Sequence, residues 1–96
     1  MGAAKAGLEA LTRQLAVELA PRRIRVNTIC GGLVETDALS YFPDREKMLA
    51  WAAEATPLGR VGRAEDIAGA VSLLLEPGAS WITGQVIIAD GGLSLL

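Results

Sequence analysis

Two short β-branched runs stand at either end of a long helical stretch, and they limit what this chain can fold into. Ile24, Val26, Thr28 and Cys30 alternate with Arg25, Asn27 and Ile29, the composition of a strand over Ile24–Cys30. The second run, Gln85–Ala89, is continuously apolar through Val86, Ile87, Ile88 and Ala89. Such continuity suits a parallel strand covered on both faces rather than one open to water on one side. Two strands separated by a helical crossover are the mark of an α/β unit, right-handed by the usual rule. The expected fold class is α/β, with these two strands as parallel neighbours.

About three helices fill the remainder. Leu8, Leu11, Leu15 and Leu19 recur at spacings of three and four, with Ala4 behind them, so Ala3–Ala20 reads as a helix with a leucine face. Ala6, Ala10 and Val17 occupy another side. Pro21 stops the helix, because its ring cannot continue a helix interior. Gly31 and Gly32 end the first strand where the backbone turns freely, and residues 33–42 read as a loop with one short helical turn. Pro43, Asp44 and Glu46 favour a helix start, and Met48, Leu49 and Ala52 carry it on over Asp44–Ala55. Glu65 and Asp66 open a third helix, Ala64–Leu75, closed by Pro77-Gly78.

Composition removes several functions. The chain has 96 residues, one domain's worth or a piece of a larger one, and is 51% hydrophobic, enough apolar material to build a core. Its net charge of -2 and the small Arg22, Arg23, Arg25 cluster argue against a nucleic-acid surface. No apolar run approaches the roughly 20 residues that span a bilayer, and no signal peptide is visible. With a single cysteine, Cys30, and no histidine, the sequence excludes an internal disulfide, histidine-based zinc sites and Ser-His-Asp or Cys-His catalysis. No metal ligands are expected, and the location expected is cytoplasmic.

Residues able to carry chemistry are few. Lys5, near the start of the first helix, could set its ammonium beside a phosphate, ribose or hydroxyl, although an exposed helix lysine is ordinarily a solvated charge. Gly31-Gly32 followed by Thr36 lies at a strand's carboxyl end, where open α/β sheets bind ligands; a plain turn explains the two glycines equally well. Tyr41, the one tyrosine, stands 36 residues beyond Lys5 and reads as a lipophilic loop anchor with Phe42. Trp51 and Trp81 read as packing residues. Gly59-Arg60-Val61-Gly62 follows no strand and lacks the lysine and hydroxyl of a phosphate loop.

In order along the chain, Ala4-Lys5-Ala6-Gly7-Leu8-Glu9-Ala10-Leu11-Thr12-Arg13, Ile24-Arg25-Val26-Asn27-Thr28-Ile29, Pro57-Leu58-Gly59-Arg60, Glu65-Asp66-Ile67-Ala68, Ile82-Thr83-Gly84-Gln85 and Asp90-Gly91-Gly92 resemble the carboxy-terminal part of short-chain dehydrogenases/reductases. The resemblance covers essentially all 96 residues. It implies a portion of a doubly wound, Rossmann-like parallel sheet and an NAD- or NADP-dependent oxidoreductase. By the same resemblance Lys5 is catalytic, holding the nicotinamide ribose and lowering the pKa of a tyrosine. Gly31, Gly32 and Val34 line the nicotinamide, Val34 through its backbone, and Thr36 bonds near the carboxamide and pyrophosphate. Most members carry proline where this chain has Gly31. Gly31-Gly32, Thr36-Asp37-Ala38-Leu39, Phe42-Pro43 and Gly92-Leu93-Ser94-Leu95-Leu96 resemble the enoyl-acyl carrier protein reductase III branch, which implies an acyl carrier protein thioester substrate passing Leu39, Tyr41 and Phe42. A 3-oxoacyl-acyl carrier protein reductase or a general alcohol dehydrogenase is the alternative.

The departures shape the functional expectation. The common pattern places tyrosine four residues before the lysine, at Met1 here; the enoyl reductase III branch places it seven before. The catalytic serine and the Gly-rich dinucleotide loop also belong upstream. The expectation is a carboxy-terminal segment of one domain without its amino-terminal dinucleotide-binding half, inactive alone and binding NAD or NADP weakly or not at all. A homo-oligomer, or association with the missing amino-terminal segment, is the expected assembly. The non-enzymatic alternative is an interaction remnant that associates with a full-length paralogue.

Overall fold

The computed structural model describes residues 2–95. Met1, where the common pattern places tyrosine, and Leu96 lie outside them. In chain order the elements are α1 (Gly2–Leu19), β1 (Thr28–Cys30), β2 (Val34–Glu35), α2 (Arg45–Ala55), β3 (Gly62–Arg63), α3 (Ala64–Leu75) and β4 (Val86–Ile88), with 3-10 turns at Ala20–Arg22, Asp37–Tyr41, Pro77–Ala79 and Leu93–Leu95. The chain divides into two compact units, Met1–Ile29 with Val71–Ile87, and Cys30–Ala70 with Ile88–Leu96. Among the described residues no helix is long and apolar enough to cross a membrane.

In the first unit α1 follows the leucine spacing but does not turn the whole leucine face inward. Thr12 and Ala16 are the buried positions, Leu15 and Leu19 are half-buried, and Leu8 and Leu11 remain exposed. Thr12 spans the helix and the first strand: its hydroxyl donates to the Leu8 carbonyl at 2.7 Å and lies 2.6 Å from the Thr28 hydroxyl. Pro21 sits in the 3-10 turn that ends the helix, and Arg23 reverses the chain in the left-handed region at φ 59.

The strand expected over Ile24–Cys30 is shorter than its composition implies. Residues 24–27 are laced to residues 82–85 largely by side chains. The Val26 N–H donates to the Thr83 hydroxyl, the Asn27 amide donates to the Ile82 carbonyl, and the Gln85 N–H donates to Asn27 Oδ1. Arg25 donates from Nη2 to the Leu74 carbonyl at 2.6 Å and from Nη1 to the Ile82 carbonyl at 3.2 Å. The first of these satisfies a carbonyl in the last turn of α3, which has no partner inside its own helix.

Within the same stretch the Gly84 N–H donates to the Val26 carbonyl at 2.7 Å, and backbone pairing continues into the strands. The Thr28 N–H donates to the Gln85 carbonyl and the Ala89 N–H to the Cys30 carbonyl. The bonds advance in the same direction along both chains, so β1 and β4 are parallel neighbours, as the two β-branched runs predict. Cover on both faces of β4 is not supplied by these residues: Val86 and Ile87 are half-buried and Ile88 is exposed.

The second unit holds a second parallel pair that the sequence does not announce, β2 with β3, in the register Val34 to Gly62 and Glu35 to Arg63. Two-residue strands carry no readable alternation. Between them the chain makes an excursion with a small core of its own. The 3-10 turn Asp37–Tyr41 packs on α2, burying Leu39, Ala52 and Thr56, and the Thr56 hydroxyl donates to the Ala52 carbonyl. The aromatic residues do not pack as expected. Tyr41 is 87% exposed and Trp81 97%, while Phe42 and Trp51 are also exposed, so none serves as an anchor or core residue within this chain.

Replacing Thr12 by Val removes the hydroxyl that meets Thr28 and leaves the Thr28 hydroxyl short of a partner. Thr12→Val is expected to cost about 1–2 kcal/mol, a fall in Tm of roughly 4–16 °C for a domain of this size. Replacing both threonines by Val should cost less than the sum of the single changes. Thermal unfolding of the three variants checks it, and simple additivity would show that the pair is not coupled.

Candidate active site

The loop leaving β1 is shaped by two missing side chains. A Cβ added at Gly31 would stand 2.5 Å from Ile67 Cδ1 and 3.1 Å from Val34 Cγ2, so Ile67, in α3, fills the space that a residue at 31 would need. Gly32 has φ +65, and a Cβ there would lie 3.0 Å from the Asp90 Cβ, a position that excludes L side chains on conformation and on space. The backbone at 31–32 is therefore bare, and one of its sides is closed by Ile67 and Asp90.

Val34 follows in β2, fixed by its pairing with Gly62. Thr36 is extended at φ -134, ψ 167 and precedes the 3-10 turn Asp37–Tyr41, yet its hydroxyl makes no capping bond to that turn. A threonine at a helix start ordinarily caps it; this exposed hydroxyl is left for another partner. Chain connectivity thus gathers Gly31, Gly32, Val34 and Thr36 in the second unit. Lys5 belongs to the first unit, on the exposed opening turns of α1. The one ion pair among the described residues is Arg60 with Asp66, so the Lys5 ammonium has no carboxylate partner there.

Two carboxylates of the second unit, Asp66 and Asp90, have hydrogen-bond partners within it. Arg60 grips Asp66 with both guanidinium arms, Nη1 to Oδ2 at 2.7 Å and Nη2 to Oδ1 at 2.8 Å. Asp66, in the first turn of α3, also accepts the N–H of Arg63 immediately before the helix, half of a capping box. These hydrogen bonds, from Arg60 first and then Arg63, hold the Asp66 carboxyl well below the usual carboxylate range and raise Arg60. Asp90 accepts from the N–H groups of Gly92 and Ser94, and the bonds to Ser94 and Gly92 lower its pKa too. A cleft of about 240 Å³ is lined by Leu58, Arg60, Gly62, Asp66 and residues 89–91. It falls short of the roughly 300 Å³ at which small-molecule pockets begin, and its cation is already paired.

The second unit presents bare backbone at Gly31-Gly32 and an exposed, uncommitted Thr36 hydroxyl; the first unit presents the exposed Lys5 ammonium. The 96 residues contain no Gly-x-Gly-x-x-Gly turn opening a helix, the element that binds a pyrophosphate through free N–H groups. Of the three residues expected along the acyl path, Leu39 is buried beneath the excursion, and Tyr41 and Phe42 present surface. Ile67 and the Arg60–Asp66 pair escaped the sequence reading. Gly31, set against the proline that the resemblance leads one to expect there, marks a position without a side chain but does not point to Ile67 as the residue beside it.

A family model described as enoyl-(acyl carrier protein) reductase matches residues 1–94. A tropinone reductase homologue of Arabidopsis thaliana is 46% identical over 98% of this chain, and a 3-oxoacyl-(acyl-carrier-protein) reductase of Pseudomonas aeruginosa is 43% identical over 95%. A crystal structure described as a small-chain dehydrogenase in complex with NADPH matches 95% of the chain with a TM-score of 0.85 and 43% identity. The chain spans 36% of the length of each relative and 41% of that structure's chain.

Gly31→Ala is expected to destabilise the chain by about 1–3 kcal/mol through overpacking, and Gly31→Ala with Ile67→Val, which removes Cδ1, to recover part of that loss. Denaturant unfolding of the single and double variants tests it; equal losses would show that Ile67 does not fill the space. Acid provides a second test. Asp66 has a depressed folded pKa, so its contribution is present above the unfolded value of about 3.9 and is lost as pH falls through the folded value. The native chain should therefore lose Tm below about pH 4 more steeply than Asp66→Asn.

Proposed function

The chain belongs to the short-chain dehydrogenase/reductase family, and on that premise we propose that it forms the carboxy-terminal part of an NAD(P)-dependent reductase and serves the nicotinamide end of the cofactor. The observation that carries the reading is the bare, one-sided loop Gly31-Gly32 leading to a Thr36 hydroxyl that caps nothing. When bound, the reduced dinucleotide supplies a hydride. The loop backbone seats the nicotinamide, Thr36 bonds at its carboxamide end, and Lys5 donates to the ribose hydroxyls. Lys5 also favours the ionised form of a general-acid tyrosine. Tyr41, the one tyrosine in the sequence, lies in the excursion and is not assigned that role.

The favoured substrate is an enoyl thioester on an acyl carrier protein, with Tyr41 and Phe42 meeting the acyl chain and Leu39 supporting them from beneath. The similarity to a 3-oxoacyl-(acyl-carrier-protein) reductase supports a ketoacyl thioester as the second reading. Exposed apolar residues on both units, among them Leu8, Val17 and Trp81 on the first and Trp51 and Leu58 on the second, suit association with another copy or with a polypeptide that supplies the dinucleotide loop. Such an assembly also accommodates a non-catalytic partner of a full-length paralogue.

Titration with the two halves of the cofactor tests the reading. Reduced nicotinamide mononucleotide should shift the amide resonances of residues 31–36 with a dissociation constant of about 1 mM, the weak end of specific affinities. Adenosine monophosphate should leave them unmoved. The chain alone should show no reduction of enoyl or 3-oxoacyl thioesters by cofactor absorbance. An unresponsive loop at saturating nicotinamide mononucleotide, or tight binding of the adenosine half, would overturn it.

A further inference from the structure

The turn after β4 lies against the loop after β1. The Ala89 N–H donates to the Cys30 carbonyl at 2.8 Å, so Gly31 and Asp90 leave the ladder together. One residue on, a Cβ added at Gly32 would stand 3.0 Å from the Asp90 Cβ and 4.0 Å from its Cα. The Asp90 carboxylate is committed to its own turn: Oδ1 accepts the Gly92 N–H at 2.9 Å and Oδ2 the Ser94 N–H at 2.8 Å. Arg60 and Asp66 line the cleft beside it but are bonded to each other, so neither competes for that carboxylate. The turn is also braced by residues 56–58. Cβ atoms added at Gly91 and Gly92 would come within 2.8 Å of Thr56 Cγ2 and 3.0 Å of Pro57 Cγ, and the Gly91 carbonyl accepts the Leu58 N–H. What the turn presents to Gly32 is therefore carbon at a fixed position. Glycine by itself does not choose the sign of its φ. The value of +65 at Gly32 needs a selector, and Asp90 supplies the atoms that stand against it.

We propose that Asp90 is a positioning residue for the loop at 31–36: its carboxylate locks the terminal turn, and the locked turn holds Gly32 in the conformation that presents bare backbone. Asp90 touches no cofactor in this role; it acts through Gly32. A binding site tolerates about 0.5 Å of displacement in the groups that form it, so a turn released from its carboxylate weakens what the loop holds. The effect on a ligand rests on the nicotinamide reading of the loop; the effect on Gly32 does not. The plainer role for Asp90 is to cap the 3-10 turn Leu93–Leu95, and that role alone would leave Gly32 indifferent to the carboxylate.

Backbone resonances of the 96-residue chain, with and without reduced nicotinamide mononucleotide, test it. Asp90→Ala keeps the Cβ beside Gly32 and loses both bonds; Asp90→Asn keeps one acceptor oxygen. In ligand-free Asp90→Ala the amide and Cα resonances of Gly32 and Leu33 should move, with those of α1 unchanged. Below the variant's Tm, the mononucleotide should bind it about three- to tenfold more weakly than it binds the native chain, the scale of one lost hydrogen bond. Asp90→Asn should fall between the two in both readouts. Gly32 resonances that stay still while those of Gly92 and Ser94 move would show that Asp90 only caps the terminal turn. A displaced Gly32 with native affinity would show that the lock does not serve the ligand. If the native chain itself ignores the mononucleotide, the nicotinamide reading falls, and the ligand-free resonances still decide whether Asp90 holds the loop. Should the variants fail to fold, acid titration of the native chain replaces them. The bonds from Ser94 and Gly92 hold the Asp90 carboxyl below its ordinary value, so the lock is present above the folded pKa and lost as pH falls through it. The amides of Gly92, Ser94 and Gly32 should then move with one shared midpoint below about 3.9. The Arg63 amide, which donates to Asp66, reports the other carboxylate of the cleft. A Gly32 amide that follows Arg63, or neither carboxylate, would overturn the proposal.

Discussion

A parallel ladder of two or three residues cannot hold itself, and both sheets of this chain are of that kind. Parallel strands are normally buried between layers of helix, and a two-stranded sheet is marginal in water. In the first unit, side chains do what backbone pairing does elsewhere. Arg25, Asn27 and Thr83 stitch residues 25–27 to residues 74–85 before the β1–β4 ladder begins. Thr12 and Thr28 tie α1 to the start of that ladder. Each donor in this lattice meets an acceptor of fixed position, so it sets the register of the strands as well as adding to their stability.

The second unit meets the same shortage of backbone pairing differently. Its ladder is two residues long, and its stability comes from close approach around glycine and from one ionic fork. Gly31 admits Ile67, and Gly32 admits Asp90; both contacts fix a loop that presents backbone rather than side chain. The Arg60–Asp66 fork fixes the other end of the unit's long excursion. The unit thus presents one stretch of bare backbone beside an excursion with a small core of its own.

How much of this the sequence discloses depends on the length of the pattern. The helices were legible because leucines at three- and four-residue spacing persist over several turns, and Ala64–Leu75 ends where Pro77 requires. The strands were overread at Ile24–Asn27. β-Branched composition reports that a backbone is extended, not that its N–H groups reach a neighbouring strand; there the Val26 N–H meets the Thr83 hydroxyl and the Ile24 N–H turns back to the Leu19 carbonyl. β2 and β3 are too short to have a period. Apolar content was legible at Trp51, Trp81, Leu8 and Leu11, but hydropathy says only that a side chain prefers cover, and these four remain exposed. The site was legible in part. Lys5 and Thr36 are visible as residue types, yet their roles came only with the family resemblance. Ile67 was invisible as a partner of Gly31, because a contact across 36 positions leaves no local mark.

That division bears on how a site of this kind can work. The role assigned to Lys5 is electrostatic, and electrostatic influence depends on the medium. Two charges about 4 Å apart act on each other roughly four times more strongly under an effective dielectric near 20 than in bulk water. Lys5 is exposed on the opening turns of α1, in the medium where its field is weakest. The loop at Gly31–Thr36 is held on one side by Ile67 and Asp90 and leaves the Thr36 hydroxyl exposed and uncommitted. Both elements have the right chemistry and lack the enclosure that makes such chemistry strong. On the proposed reading, a polypeptide that covered the exposed apolar residues near the opening turns of α1 would also displace water from beside the ammonium. Burial of the uncovered residues and strengthening of the lysine's field would then be coupled.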